Sequence, residues 1–174
     1  MAVIAETVTN YELYKDATRY LGSAELELPD LEFQTADVSG AGIAGSFEAP
    51  VQGHTQSLEL KIKWRTLTTR PLELMRHGAI SLQARAAVQN YDTTGGNVAI
   101  RPLKIDFTGR TKGATLGSLK PAEQMENETT LELSYIKITY NNGMTLELDK
   151  YNYIYKVNGV DYLKDVRKAL GLAS

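Results

Sequence analysis

YKVNGVDYLKDVRKALGLA, residues 155–173, carries the clearest local signals in the chain. Asn158 and Gly159 form a dipeptide that is typical of tight turns, and Asp161 is a residue type that favours the N-cap of a helix. Beyond it, apolar side chains recur at helical spacing until Gly171, and glycine commonly ends a helix. The segment therefore predicts a turn followed by a short helix. Three of its apolar side chains are expected to pack inward: Leu163, Val166 and Leu170.

The outer side of this predicted helix is basic. Cationic side chains near a helix C-terminus complement the negative end of the helix dipole, so their position also supports a helix here. We expect these side chains to face away from the core and to be available to a partner. They are Lys164, Arg167 and Lys168.

Working outward, most of the remaining chain alternates apolar and polar residues, which is the pattern of half-buried strands. Residues 57–65 show it most clearly, with apolar side chains at the even positions and charged side chains at most odd positions. Residues 24–28 and 80–88 repeat the pattern. The basic strand face at Lys61, Lys63 and Arg65 is expected either to face a neighbour or to be offset by acids beside it.

Two hairpins and two helices complete the prediction. One hairpin is expected to join residues 10–14 to 18–20, and the Asn-Gly pair at 142–143 predicts a type I′ turn in a second. A short helix is expected from Pro71 to His77, because proline is favoured in the first helical turn. The expected fold is mainly β, with antiparallel sheets arranged as a sandwich or barrel, one C-terminal α-helix and a short second helix.

Three features depart from regular alternation. The apolar register shifts by one after Pro102, which predicts a β-bulge because proline cannot donate to a ladder. Residues 34–56 and 110–127 lack periodicity and are predicted to be long loops, which in compact domains are usually functional.

At 174 residues the chain is expected to form a single domain, residues 1–174.

Composition argues against several classes of function. There are no cysteines and only two histidines, so thiol chemistry is excluded and little material remains for metal or acid–base chemistry. The formal net charge of -2 does not suggest a dedicated nucleic-acid binder. No apolar run approaches the roughly 20 residues of a membrane span, and residues 1–6 do not resemble a signal peptide. We expect no enzyme, no cofactor, no metal and no membrane anchor.

The glycine-rich segment at 40–45 matches the dinucleotide-binding motif G-x-G-x-x-G, but its sequence context does not fit such a site. A dinucleotide site needs a preceding strand, a following helix and an acidic residue about 20 positions later, and that position holds Arg65. We therefore interpret the segment as a flexible arm. Ten tyrosines, including Tyr151, Tyr153 and Tyr155, are interpreted as an interface or core face, since the basic groove expected for stacking on single strands is missing.

The amino-acid sequence of the C-terminal segment resembles that of a known family. The string at 156–161, followed by Leu163, Arg167 and the Gly-Leu pair at 171–172, resembles the C-terminal signature of the major tail tube proteins of contractile-tailed phages and R-type bacteriocins. A weaker match lies at 40–46. The resemblance implies a tail-tube fold and a structural subunit whose hexameric rings stack into a hollow tube, which conducts DNA in a phage or perforates the target envelope in a bacteriocin-like particle.

The resemblance also implies roles and partners. The subunit would bind further copies of itself, the tail sheath through the basic helix face, the tape-measure protein, the baseplate and the tail terminator. It would reside in the virion tail and be assembled in the cytoplasm of the bacterial host. The glycine loop would reach neighbouring subunits or the next ring through Gly40, Ala41, Gly42, Gly45 and Ser46.

DNA would pass through the lumen without specific binding. An acidic lining repels phosphates, which is the reverse of the Lys and Arg contacts that bind DNA. We expect such a lining among Glu25, Glu27, Glu128, Glu132, Glu147 and Asp149. The alternative function is a small β-rich module that recognises a protein or a sugar through its long loops. Phage, bacteriocin and other contractile injectors all fit the tube hypothesis.

Overall fold

The computed structural model describes residues 3–16, 18–20 and 23–172. Within them the elements, in chain order, are β1 Val3–Lys15, β2 Thr18–Tyr20, β3 Ser23–Glu27, β4 Phe33–Ser39, β5 Ser46–Thr55, β6 Glu59–Trp64, α1 Thr69–Glu73, β7 Ile80–Asp92, β8 Val98–Thr115, β9 Asn127–Tyr140, β10 Gly143–Asp149, β11 Ile154–Val157, β12 Val160–Asp161 and α2 Lys164–Ala169. The prediction of a mainly β fold with a C-terminal helix and a short second helix is confirmed.

A single antiparallel sheet holds ten of the described strands. Its main path runs β12-β11-β10-β9-β8-β7-β1-β2. The sheet forks at β9, because β10 pairs with residues 135–140 of that strand while β6 pairs with residues 127–132, and β3 pairs with the far edge of β6. Strands β4 and β5 pair only with each other and form a separate two-stranded sheet.

The core lies against one face of the sheet. Leu82, Phe107, Ile136 and Leu148 are direct partners on four successive strands, and each is at most 3% exposed. The predicted alternation at 57–65 is also present, since the apolar side chains of β6 are buried and its lysines lie on the other face. The long strands therefore keep an uncovered polar face.

The hairpin predictions are confirmed in outline. Strand β1 pairs with β2, although β1 extends much further toward the N-terminus than the predicted 10–14. In the second hairpin the turn consists of Asn141 and Asn142, whose φ angles are 48° and 64°, and Gly143 already pairs with Tyr140. Both asparagines tolerate the left-handed conformation that a type I′ turn requires, so the turn lies one residue earlier than predicted.

Both predicted loops contain strand. Residues 34–56 form most of the β4–β5 hairpin, and β8 continues through the first part of 110–127, so the loop there spans only 116–126. The predicted bulge at Pro102 is wrong, because β7 and β8 keep one register from Tyr91↔Val98 to Ile80↔Gly109. The apolar residues change faces instead, so that the side chains at 98 and 100 are exposed.

Helix positions also need correction. Helix α1 begins at Thr69, so Pro71 is its third residue. Helix α2 begins at Lys164 after Leu163, not after the predicted N-cap Asp161. Leu163 is 4% exposed and Val166 is half-buried, but Leu170 follows the helix and is 57% exposed. The prediction that Leu170 packs inward is therefore wrong for the single subunit.

Candidate functional site

The β4–β5 hairpin, together with its tip at 40–45, forms an arm that we call the ribbon. Its two faces differ in chemistry. Ala36 pairs with Ala49 and Val38 pairs with Phe47 on one face, where the Phe47 side chain is 56% exposed. Side chains alternate between the faces of a strand, so the residues between them lie on the other face.

That other face of the ribbon is acidic. Asp37 and Glu48 are direct cross-strand partners, and both are exposed. The Thr35 hydroxyl donates a hydrogen bond to Glu48 at 3.3 Å. Like charges placed directly opposite each other destabilise a strand pair. The ribbon therefore carries an uncovered apolar face and a local excess of negative charge.

The tip contains the residues that the sequence singled out as an inter-subunit loop. Gly40, Gly42 and Gly45 have φ angles of 136°, 90° and 112°, a region that other residues rarely adopt. No atom outside the adjoining residues lies within 4 Å of a Cβ built at any of them. Ala41 is exposed between them, and Ser46 begins β5. The tip is thus a tight, exposed turn at the far end of the ribbon.

The base of the ribbon is attached to the C-terminal segment. The Gln52 side-chain amide donates to the carbonyl oxygen of Tyr162 at 2.7 Å. The rings of Phe33 and Tyr155 meet edge to face, with centroids 5.6 Å apart. Leu163 lies directly over Gly53. The segment that resembled a family signature therefore holds the ribbon in place.

An ion pair fixes the start of α2. Arg167 contacts the Asp161 carboxylate at 2.5 Å and donates to the carbonyl oxygen of Tyr153 at 2.7 Å. Asp161 also accepts from the backbone N–H of Leu163 at 3.1 Å. The hydrogen bond from Arg167 holds the pKa of Asp161 below its usual range, and Asp161 raises the pKa of Arg167.

This ion pair changes the predicted outer face of α2. The Arg167 side chain is only 13% exposed and points to Asp161, so it belongs to the packing and not to the free basic face. Lys164 and Lys168 are exposed, as predicted. Leu170 and Leu172 are exposed close to them in sequence, which gives this surface an apolar part as well.

Four of the predicted lumen acids lie on the β3–β6–β9 branch, and lysines stand beside three of them, Glu25, Glu27 and Glu128. Lys63 stands between Glu25 and Glu128 in the cross-strand register. The Lys63 ammonium is 3.1 Å from Glu25, and that of Lys61 is 3.0 Å from Glu27. The hydrogen bond from Lys61 lowers the pKa of Glu27. At Lys61 and Lys63 the basic strand face is therefore offset by acids beside it, which was one of the two expectations.

Glu132 is held by local donors. It accepts from the Ser57 hydroxyl at 2.5 Å and from the backbone N–H of Leu58 at 3.1 Å, and Lys150 lies 3.7 Å away. Burial favours the neutral acid, but these donors and cations outweigh it and lower the pKa of Glu132.

The last two acids also have partners. Glu147 accepts from the Tyr135 hydroxyl at 3.1 Å and lies 3.8 Å from Lys156. Burial and this contact raise the pKa of Tyr135 to about 12. Asp149 accepts from the backbone N–H groups of Tyr151 and Asn152, so it stabilises the β10–β11 turn. The six acids do not form one uncompensated acidic surface in the single subunit.

The structure also shows exposed apolar residues that the sequence interpretation missed. Leu119 is the most exposed large apolar side chain among the described residues, and Leu72 and Met75 project from the end of α1. These apolar residues lie outside the alternating pattern of the strands, and that was a signal in the sequence that could have identified them as exposed. In the described ranges no cluster of three or more metal-binding side chains was found. No helix in those ranges is long and apolar enough to span a membrane.

Comparison with known proteins links this geometry to a family. The family model for phage tail tube protein FII matches residues 5–171. The tail tube protein of Escherichia phage P2 is 30% identical over 161 residues, which cover 88% of this chain and 90% of that protein. The major tail tube protein of Serratia phage KSP20 is 22% identical over 164 residues, covering 93% and 94%.

Solved structures support the fold. The sheath/tube terminator of an extracellular contractile injection system, PVC, superposes with a TM-score of 0.55 at 11% identity, covering 78% of this chain and 97% of that one. The sheath-tube complex of the same system superposes with a TM-score of 0.52 at 11% identity, covering 74% of this chain and 87% of that one. The resemblance predicted from the C-terminal segment is thereby confirmed. The chain belongs to the phage tail tube protein FII family and is a structural subunit of a tail tube.

Proposed function

We propose that this subunit forms hexameric rings that stack into the inner tube of a contractile phage tail or phage-tail-like particle. The observation that carries the proposal is the ribbon. A two-stranded hairpin is marginally stable alone in water, yet this one stands outside the main sheet with Phe47 exposed. A second copy of the chain supplies the missing surface, and head-to-tail contacts between copies generate rings and filaments.

In this arrangement the ribbon is the connection between subunits. Its tip, Gly40, Ala41, Gly42, Gly45 and Ser46, reaches the neighbouring copy or the next ring. Strand β4 has seven residues, and each strand residue adds about 3.3 Å. With the turn at 40–45 beyond it, the tip lies roughly 25 to 30 Å from the base of the ribbon. The attachment of the base to the C-terminal segment then transmits load from one copy to the next.

The outer surface at α2 faces the sheath. Lys164 and Lys168 supply its charge, and Arg167 acts behind them by holding Asp161. Two structural relatives are a sheath-tube complex and a sheath/tube terminator, which supports a sheath and a tail terminator as partners here. The tape-measure protein inside the tube and the baseplate at its end complete the set of partners.

The uncovered polar face of the long strands lines the lumen. Its acids, Glu25, Glu27, Glu128, Glu132, Glu147 and Asp149, have lysine or backbone donors beside them, so the lining offers phosphates few free cations. DNA, or another cargo, passes without specific binding. The chain acts by packing rather than catalysis, without a cofactor, in a virion tail that is assembled in the host cytoplasm.

Electron microscopy of tails provides the test. Tails purified from producing cells are imaged in negative stain with and without an antibody against this chain, and their composition is measured by mass spectrometry. A hollow rod with about six copies of the chain per ring repeat is the expected result. Absence of this chain from the tails would contradict the proposal. A variant that lacks residues 40–45 serves as the matched control and is expected to fold but not to assemble.

A further inference from the structure

We propose that the ribbon of one copy binds to a specific site on a second copy, the α1 shoulder, which we define as Leu72, Met75 and Arg76. This inference rests on the proposed function and names the surface that the ribbon contacts. It follows from two incomplete surfaces of the same chain. Each has exposed apolar side chains, and the two carry opposite charge.

The ribbon supplies the first surface. Val38 and Phe47 are cross-strand partners on its apolar face. Asp37 and Glu48 are direct partners on the opposite face, and both are exposed, so a partner's cation reaches them past the edge of the two-stranded ribbon. An anionic pair of this kind is stabilised by a cation that approaches from a partner.

The α1 shoulder supplies the second surface. Pro71 and Leu74 form the buried side of α1. Leu72 lies in α1, whereas Met75 and Arg76 follow its end in a turn in which the Met75 N–H donates to the carbonyl oxygen of Leu72 at 3.0 Å, and all three side chains are exposed. Leu72 is 48% and Met75 is 44% exposed, and the Arg76 guanidinium contacts only the backbone oxygen of Ala79, at 3.5 Å, among its described contacts.

The charges select this shoulder among the other exposed apolar surfaces of the described chain. The tip of β1, β7 and β8 carries Glu6 and Asp92, and the 116–126 loop carries Glu123 and Glu126, which would repel the acidic ribbon. The surface at α2 combines lysines with apolar residues, but the proposed function assigns it to the sheath. Two other exposed apolar side chains also have a cation beside them, but Arg101, next to Ile100, donates to Asn141 at 3.3 Å, and Lys120, next to Leu119, pairs with Glu123 at 3.3 Å. Arg76 contacts only the backbone oxygen of Ala79 among its described contacts, and the charges of Arg70 and Glu73 on the same helix offset each other, so the α1 shoulder offers the cation that is least engaged within its own chain.

The contact is heterologous, because the ribbon and the shoulder are different parts of one chain. One copy therefore uses its ribbon on the next copy and offers its shoulder to the previous one, and the series closes into a ring or continues as a helix. A two-fold dimer would satisfy both surfaces only if each copy placed its ribbon on the shoulder of the other at the same time.

The absence of cysteine in the natural chain permits a direct test. A disulfide forms only where the two Cα atoms approach within about 7 Å. In tubes assembled from the full chain carrying Phe47→Cys and Met75→Cys, mild oxidation is expected to link successive copies into a ladder on a non-reducing gel. The matched control carries Phe47→Cys and Leu119→Cys and is expected to yield no ladder. Each single-cysteine variant is a second control.

The outcomes separate the two proposals. A ladder from the first variant alone supports the docking. Tubes that form without that ladder overturn the docking while leaving the proposed function intact, and failure of the unmodified chain to appear in tubes overturns both. If the cysteine pair prevents assembly, an exchange of charges provides the test. The double variant Asp37→Lys/Glu48→Lys and the single variant Arg76→Glu should each reduce the yield of tubes by roughly tenfold, and the variant that combines all three substitutions should recover it. No recovery contradicts the docking.

Discussion

Leu163 packs so closely over Gly53 that a Cβ at residue 53 would lie 2.5 Å from both of its δ-carbons. Gly53 also has a φ of +74°, which side-chain-bearing residues rarely adopt. This contact joins the base of the ribbon to the segment before α2. It accounts for a glycine at a position where the sequence pattern gave no reason for one.

Gly53→Ala should therefore destabilise the subunit by about 1–3 kcal/mol, because overpacking forces Leu163 to move. Urea unfolding measured by circular dichroism gives the change in the free energy of unfolding. Gly45→Ala is the matched control, since its φ is also positive at +112° but its Cβ would meet no other residue within 4 Å. Equal effects of the two substitutions would show that backbone strain, and not the contact with Leu163, is responsible.

Leu163→Ala and Leu170→Ala should have very different effects. Leu163 is 4% exposed, so its truncation should lower the free energy of unfolding by about 2–4 kcal/mol. Leu170 is mostly exposed, and its truncation should change that free energy by less than about 0.5 kcal/mol. Thermal and urea unfolding of the unassembled subunit measure both. A large effect of Leu170→Ala in the monomer would contradict the packing described here.

The Asp161–Arg167 ion pair should make stability depend on pH. The folded-state pKa of Asp161 is lowered, so its contribution is present above the ordinary pKa of about 4 and is lost as the pH falls through the folded value. Asp161→Asn should reduce the urea midpoint at pH 7 and have progressively less effect as the pH falls below about 4. An equal effect of the substitution at all pH values would exclude the ion pair as its cause.

The indole N–H of Trp64 donates to the Thr129 hydroxyl at 3.1 Å inside the core. Thr129→Val keeps the shape of the side chain and removes the acceptor, so it should cost about 1 kcal/mol. Trp64 is the only tryptophan, which makes its fluorescence a local probe of the change. Thr129→Ser retains the hydroxyl and is the control for hydrogen bonding. Unchanged stability in Thr129→Val would contradict an energetic role for this contact.

The sequence was sufficient for several features that depend on neighbours along the chain. The buried face of β6 follows from strict alternation, and the turn at 158–159 follows from two residues that accept positive φ. Leu163 was correctly expected to pack inward, but Leu170 was not, because helical spacing says nothing about whether a core surface lies beneath. Helix α2 ends at Ala169, and the next residue, Leu170, is mostly exposed.

The ribbon was missed for a related reason. Its apolar face is made largely of small residues such as Ala36 and Ala49, which give weak alternation, and its covering surface belongs to another copy in the proposed assembly. The partner of Asp161 was missed because helix capping was the simplest local role for that residue. The contact between Asp161 and its actual partner, Arg167, depends on the path that the backbone takes between the two residues. The six acids predicted to line the lumen were chosen by their charge alone, and the cross-strand register that sets Lys63 beside Glu25 and Lys61 beside Glu27 could not be derived from the sequence.

The attachment of the ribbon has a consequence for protein synthesis. Gln52 and Tyr162 are 110 residues apart in sequence, yet their hydrogen bond holds the base of the ribbon. A growing chain on the ribosome makes the ribbon early, but the anchor that orients it emerges only after residue 163. Translation order thus delays the anchoring of the ribbon until the rest of the sheet has been synthesised, and a truncated product that ends before Tyr162 lacks this hydrogen bond.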